Sequence, residues 1–295
     1  MRRAFTQAVL VVLALALFGA GAGTYVLWRY GRDLPDYQQL AAYEPPIVTR
    51  VHAGDGRLLA EYATEKRAFV PIEAIPKIVV KAFLAAEDKH FYEHSGVNPG
   101  SIVRALFRNV ANLASDKKLV GASTITQQVA KNFLLTNELS VARKIKEAIL
   151  AFRIERALSK QRILELYLNE IYLGSSSYGV AAAGLNYFGK SLSDLTTAES
   201  AYLAALPKAP NNYHPFKQTE KATDRRNWII GEMYENGYVT REEADEARKK
   251  PLTVNFRTSG AHIFAAEYFA EEVRRSILSE YGEEKLYAGG LSVRT

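Results

Sequence analysis

The hydrophobic pattern divides the chain into three regimes. In the first, residues 4–28 (AFTQAVLVVLALALFGAGAGTYVLW) carry no charge and are bracketed by Arg2 and Arg3 on one side and Arg29 and Arg32 on the other. As a helix rising about 1.5 Å per residue, Ala8 to Trp28 would span roughly 31 Å, the thickness of a bilayer's hydrocarbon core. Tyr25, Trp28 and Tyr30 stand where aromatic rings favour a membrane interface, and Arg2 and Arg3 favour an inside N-terminus. The run predicts a transmembrane anchor at 8–28 behind a short cytoplasmic stub at 1–7. It implies a single pass through the cytoplasmic membrane, with the rest of the chain on the periplasmic or extracellular face. A cleaved signal peptide is the alternative, since Ala20 and Ala22 offer small residues, but the apolar run is longer than a usual signal core.

The second regime begins after a linker at 29–74, punctuated by Pro35, Pro45 and Pro46. Within it, IVTRVHAGDGRLLAEYA predicts a small hairpin turning at Asp55-Gly56. From Ile75 to Lys250 apolar residues recur at three- and four-residue intervals, which predicts a mainly α-helical domain over 75–250. Ile145, Ile149 and Phe152 form one such stripe. Ile163 to Leu173 (ILELYLNEIYL) is apolar on more than one face and predicts a central buried helix, stopped by Gly174 and three serines. An Ala- and Leu-rich block from Val180 to Leu206 ends at Pro207-Lys-Ala-Pro210. A polar helical pair, Arg225 to Tyr234 and Arg241 to Lys250, closes the region. In the third regime, 251–295, LTVNF and GLSVR look like strands on either side of an amphipathic helix from Ala261 to Leu278. This tail is expected to be a linker and the start of a truncated second domain.

Composition narrows the chemistry. With 295 residues and 48% hydrophobic content, the chain is too apolar for disorder and long enough for a large core. The absence of cysteine removes thiol nucleophiles, Cys-ligated zinc, iron–sulfur clusters and disulfides. Three motif matches are set aside. GLNYFGKS (184–191) fits a phosphate-binding loop only in spacing, because an Ala-rich helical stretch precedes it instead of a strand. His90, Glu93 and His94 form HxxEH without a marked third ligand. Ser115 and Lys118 match SxxK, but no KTG or SDN follows.

The remaining polar blocks interrupt apolar surroundings. Glu87 and Asp88 stand at the end of the helical stretch KIVVKAFLAA, where acids meet an unfavourable helix dipole. Ser123, Thr124, Thr126, Gln127, Gln128 and Lys131 gather hydroxyls and amides around a lysine, a plausible oxyanion or phosphate clamp. Arg143 and Glu147 share a helix face; as an exposed pair they would be worth about 0.3 kcal/mol.

EDKHFYEHSG (87–96), GASTITQQ (121–128), RKIKE (143–147) and LELYLNEIYLG (164–174), in this order, resemble the signature blocks of the peptidoglycan glycosyltransferase domain, glycosyltransferase family 51, of class A penicillin-binding proteins. The resemblance covers roughly residues 40–250. It implies a mainly α, lysozyme-like head lobe with a smaller membrane-facing jaw at about 105–120, and a truncated transpeptidase region in 251–295. The implied reaction is polymerisation of lipid II into β-1,4-linked glycan, with inversion and release of undecaprenyl pyrophosphate. Glu87 is then expected to be the general base and Glu147 the second essential carboxylate. Ser123, Gln127 and Lys131 are expected to line the donor pyrophosphate site, with Arg143, Lys144 and Lys146 adding charge. Asp88 and Thr124 would shape the site, and Glu165, Tyr167 and Asn169 would support it.

The sequence departs from the family pattern at Leu139, where many members have Arg, at Lys89, where Arg is common, and at Asn98, where Asp is frequent. No cofactor or metal is expected beyond stimulation by a divalent cation. Expected partners are lipid II and the lipid-linked glycan, the membrane, cell-wall synthesis proteins and the inhibitor moenomycin. The net charge of +6 needs no nucleic acid. A glycan hydrolase of lysozyme type and an inactive membrane-tethered scaffold are the alternative functions.

Overall fold

The computed structural model describes residues 2–41, 43, 49–55, 58–62, 69–113, 123–135, 138, 140–255 and 264–295. The charge-free N-terminal run is helical, forming α1 (Arg2–Gly31), 30 residues long. Among the described residues, however, no helix is long and apolar enough to cross a membrane. In the half of α1 whose side chains are described, Gly19, Gly21, Gly23, Thr24 and Tyr25 dilute the aliphatic run. This overturns the expected transmembrane helix at 8–28, and with it the single-pass membrane topology. The end of α1 docks on the helical body, where Arg153 Nη2 donates to the Gly31 carbonyl at 3.0 Å.

The predicted hairpin is present. Strands β1 (Thr49–His52) and β2 (Leu58–Tyr62) pair antiparallel; Gly56 of the expected turn lies outside the described residues. A third strand, β3 (Ser292–Arg294), pairs parallel to β1, giving the order β2-β1-β3. GLSVR is thus a strand whose neighbour lies near the opposite end of the sequence. Its companion LTVNF is not a strand over its described part, 252–255. Leu252 and Val254 pack against the helical core, and the Asn255 N–H donates to the Tyr187 carbonyl at 2.9 Å. Docking on that carbonyl replaces sheet pairing. Helix α11 (Phe264–Ala288) breaks at Gly282, where φ is 82°. Beneath the sheet, Val51, Ile277 and Leu286 form a small core of their own.

The main body consists of α2 (Lys77–Glu87), α3 (Pro99–Leu113), α4 (Ile125–Leu134), α5 (Val141–Ala157), α6 (Lys160–Glu170), α7 (Val180–Phe188), α8 (Thr197–Leu203), α9 (Thr219–Glu235) and α10 (Arg241–Lys249). The mainly α expectation therefore holds. Every residue of α6 from Ile163 to Asn169 is buried, as its all-round apolar pattern predicts. The Ala- and Leu-rich block becomes α7 and α8, separated by Gly189 in the left-handed region. Helix α3 covers the first part of the expected jaw; residues 114–120, with Ser115 and Lys118, lie outside the described residues, as does Leu139. Asn98 accepts from the Ser101 N–H at 3.0 Å, capping α3 as an Asp would.

The stripe on α5 is rotated from the predicted one. Glu147, Leu150, Ala151 and Ile154 are buried along with Ile149, whereas Phe152 is 47% exposed. A charged residue occupies a core-facing position, which hydrophobic periodicity alone does not reveal.

Gly96 makes one close contact possible. Its φ is +98°, and a Cβ there would stand 2.6 Å from the Ala151 carbonyl oxygen on α5. Gly237 also has positive φ (+67°) but faces open space. Gly96→Ala should therefore lower unfolding free energy by about 3 kcal/mol, and Gly237→Ala by only about 1 kcal/mol. Urea denaturation of both variants measures the difference; equal losses would mean that the Gly96 contact contributes nothing.

Candidate active site

The site begins where α2 stops. Asp88 leaves the helical region (φ −158°, ψ 74°), so Glu87 is the last helical residue. The buried Asp88 carboxylate accepts from the Ile125 N–H at 3.1 Å and pairs with His94 Nε2 at 2.9 Å. Because the Gly96 N–H donates to His94 Nδ1 at 3.2 Å, Nε2 is the nitrogen that carries the proton toward Asp88. An acid poorly placed for the end of α2 is thereby well placed at the start of α4, where N–H groups lack helical partners.

Glu87 Oε2 accepts from Gln128 Nε2 at 2.8 Å. Burial raises the Glu87 pKa above the ordinary carboxylate value; the Gln128 hydrogen bond and the fields of Arg225 and Lys208 oppose the rise, and Asp88 adds to it. The buried Tyr167 hydroxyl has no hydrogen-bond partner among the described residues. Burial, then the nearby Glu87 and Asp88 carboxylates, push its pKa well above the usual phenol range.

Helix α4 links this carboxylate to the cations. At its start Thr124 and Gln127 form a reciprocal cap: the Gln127 N–H donates to Thr124 Oγ1 at 3.2 Å, and the Thr124 N–H donates to Gln127 Oε1 at 2.9 Å. Thr124 Oγ1 in turn donates to the Gly96 carbonyl at 2.6 Å. Both residues thus fix the helix start, and Gln128, one position along, is the amide that reaches Glu87. Thr126 donates to Glu155 at 2.6 Å, beside Lys160. Ser123 receives Lys144 Nζ at 2.5 Å.

Glu147 sits among the α5 cations. It is 1% exposed, and its two carboxylate oxygens pair separately with Arg143 and Lys144. An exposed helix-surface pair does not describe this arrangement, because a buried carboxylate held by two cations fixes both of them in place. Arg143 Nε is itself buried and has no partner among the described residues. Lys131 and Lys146 are partly exposed and form no ion pair among the described residues.

The fourth block supports from behind. Asn169 pairs with Val70 as a strand would, accepting from its N–H at 2.8 Å and donating to its carbonyl at 2.9 Å. Glu165 accepts from the Ile72 N–H at 2.9 Å and pairs with Arg162. These bonds tie the chain at 70–72 to α6.

Three residues near the site, His94, Lys208 and Arg225, were not expected to act there, and Gln128, expected in an oxyanion or phosphate clamp, instead reaches Glu87. The adjacent Arg225 and Arg226 were visible in the sequence only as part of a polar helix. The structure separates them: Arg226 is buried and donates to the Lys250 carbonyl at 2.8 Å, while Arg225 lies in reach of Glu87's field. Of the discounted motifs, Lys190 pairs with Glu199 at 2.7 Å and His90 with Glu93 at 2.8 Å. Among the described residues no group of three His, Cys, Asp or Glu side chains could hold a metal ion.

The chain resembles known proteins over most of its length. The chain is 49% identical over 97% of its length to penicillin-binding protein 1A of Rickettsia felis, covering 36% of that protein. It is 44% identical over 96% of its length to penicillin-binding protein 1A of Aquifex aeolicus, covering 38% of that protein. The crystal structure of penicillin-binding protein 1A from Haemophilus influenzae aligns with 86% of this chain and 27% of that one, at a TM-score of 0.50 and 29% identity. The chain thus spans little more than a third of the curated relatives it matches. The family model described as transglycosylase matches residues 55–234, which hold all four sequence blocks and more than half of the chain. By that match the chain belongs to the transglycosylase family, as the glycosyltransferase domain of penicillin-binding protein 1A relatives.

Proposed function

We propose that this chain is a peptidoglycan glycosyltransferase that polymerises lipid II with inversion. The observation that carries the proposal is α4, which hydrogen-bonds the partly buried Glu87 through Gln128 and meets the Arg143–Lys144–Glu147 cluster through Ser123 just before its start. A base and a set of cations are thereby held on one rigid element, as a displacement needs when a proton is lost on one side and negative charge develops on the other.

In this reading Glu87 takes the proton from the 4-hydroxyl of the acceptor GlcNAc. The oxygen forms a bond to C1 of the MurNAc at the reducing end of the growing strand, and the C1–oxygen bond to pyrophosphate breaks. Undecaprenyl pyrophosphate leaves with the electron pair, and the configuration at C1 inverts from α to β. Lys131, Lys144, Lys146 and Arg143 offset the charge on the leaving group, and Glu147 keeps the α5 cations oriented. A single displacement needs no nucleophilic carboxylate. That sets it apart from a retaining glycan hydrolase, and Glu147, occupied by two cations, suits an organising role.

A lipid-linked substrate also gives a use to the outer face of α3. Ile102, Val103 and Phe107 are 46%, 50% and 73% exposed, an apolar strip suited to contact with acyl chains.

Three outcomes follow for purified protein. Glu87→Gln should reduce lipid II polymerisation by about a thousandfold, while unfolding free energy at neutral pH stays level or rises. The sign follows from the raised pKa: the folded state disfavours the ionised carboxylate, so stability is lost as pH climbs through that pKa, and an uncharged amide avoids the loss. Polymerisation that persists in Glu87→Gln would remove Glu87 as the base. Phe107→Ser should weaken binding to anionic lipid vesicles about tenfold in a sedimentation assay without changing the thermal midpoint; unchanged vesicle binding would take α3 out of the lipid contact. Moenomycin should compete with lipid II for the α5 cations, and calorimetry showing no binding would argue against a donor site there.

A further inference from the structure

The ion pair of Glu155 and Lys160 takes no part in the proposed reaction, yet it holds the frame around Glu87. Glu155 lies on α5 and Lys160 is the first residue of α6. Their side chains are 7% and 19% exposed, and Lys160 Nζ stands 2.7 Å from Glu155 Oε1. Local stability of α6 does not account for the pair, because the dipole disfavours a cation at a helix start and an ion pair this enclosed is desolvated.

What the two residues touch does account for it. Lys160 Nζ also donates to the His94 carbonyl at 2.7 Å and sits 4.4 Å over the Phe91 ring, which meets the His94 imidazole edge-on. Glu155 Oε1 also accepts from Thr126 Oγ1 at 2.6 Å. Lys160 thus grips the loop after α2, and Glu155 grips the first turn of α4. These are the two segments that Asp88 joins, through the His94 side chain and the Ile125 N–H.

The bonds close a ring. It runs from Asp88 to the His94 imidazole, from the His94 carbonyl to Lys160, on to Glu155 and Thr126, and back through the neighbouring Ile125 N–H to Asp88. Glu87 directly precedes one member of this ring, and Gln128, which donates to Glu87, follows another by two positions. Gly96, two residues beyond His94, lies against Ala151, one helical turn before Glu155. Held by Asp88 alone, the loop could turn about the His94 side chain; a second bond at the His94 carbonyl removes that freedom.

We infer that Lys160 is a positioning residue for glycosyl transfer: paired with Glu155, it fixes the His94 backbone and, through Asp88, the place of Gln128 against Glu87. The inference rests on the reading of Glu87 as the base. Neither member of the pair belongs to the Arg143–Lys144–Glu147 cluster, so loss of Lys160 slows the chemical step and leaves substrate binding in place.

The test compares Lys160→Met, Lys160→Arg and the double variant Lys160→Met/Glu155→Gln in the full chain. Steady-state polymerisation of lipid II gives kcat and KM. NMR of 15N-labelled glutamine and histidine side chains follows the Gln128 amide and the His94 imidazole, identified by their loss in Gln128→Leu and His94→Gln. In folded Lys160→Met, kcat should fall roughly ten- to a hundredfold with KM within about twofold, and both resonances should move. Lys160→Arg keeps the charge and a donor and should restore most of kcat. Adding Glu155→Gln should not restore it, because the His94 carbonyl still lacks its donor; recovery in the double variant would show that Lys160 only neutralises Glu155 and would overturn the inference. A folded Lys160→Met with both resonances in place overturns it too, as does a rise in KM at unchanged kcat, which would assign Lys160 to substrate binding. Resonances that move at unchanged kcat overturn it where Glu87→Gln is inactive; where Glu87→Gln is active, they remove Glu87 as the base and leave the positioning standing. Circular dichroism identifies which variants fold. If Lys160→Met does not, the double variant, which has no unpaired acid at 155, decides between low kcat and recovery.

Discussion

The buried carboxylate of Asp88 decides where α2 ends and where α4 begins. By accepting the Ile125 N–H and pairing with His94, it fastens the end of α2 to the start of α4, although α3 lies between them in sequence. Glu87 is brought to Gln128 because its neighbour in sequence is used for this purpose. The same fastening sets the direction of α4, so Gln128 on the helix meets Glu87 and Ser123, just before its cap, meets Lys144. Loop and helix support each other further through Thr124, which caps α4 while donating to the Gly96 carbonyl. The arrangement around Glu87 is thus built from ordinary capping bonds made between segments distant in sequence.

The two carboxylates of the site solve the burial of charge in different ways. Glu147 is enclosed by two direct ion partners, an arrangement that fixes side-chain positions and leaves the acid unavailable for proton transfer. Glu87 receives one neutral amide bond and the more distant fields of two cations, so burial still dominates its protonation. A carboxylate made more basic than usual by its surroundings suits proton abstraction, and one already occupied by cations suits organisation.

Much of this was legible in the sequence, because the signals were local. The end of α2 at the two acids, the buried α6 and the hairpin all follow from periodicity, turn residues or helix stops. What was not legible depends on distance in sequence. Gln127 and Gln128 are adjacent amides, and only the location of the Thr124 cap decides which is spent on the helix start and which faces Glu87. The α5 stripe was misplaced because Glu147 occupies a buried position that apolar periodicity cannot mark. Arg225 and Lys208 lie well over a hundred residues beyond Glu87, in a helix and a turn whose composition gives no sign of a shared site. The apolar N-terminal run gave a helix, as predicted, while the membrane span read from it was corrected.

The parallel pairing of β1 with β3 has a consequence for how the chain comes together. The Leu291 N–H reaches Thr49 Oγ1 across 242 positions of sequence, so this pair closes one of the longest loops the chain can form. The entropy of closing such a loop grows only slowly with its length, but native pairing has to wait until both ends exist. During synthesis β1 appears early and β3 only after the whole helical body that lies between them. That body must shorten the distance before the sheet can be completed. Until then the outer edge of β1 remains open to pairing with the wrong strand, which makes it the point where assembly of this chain is most exposed to error.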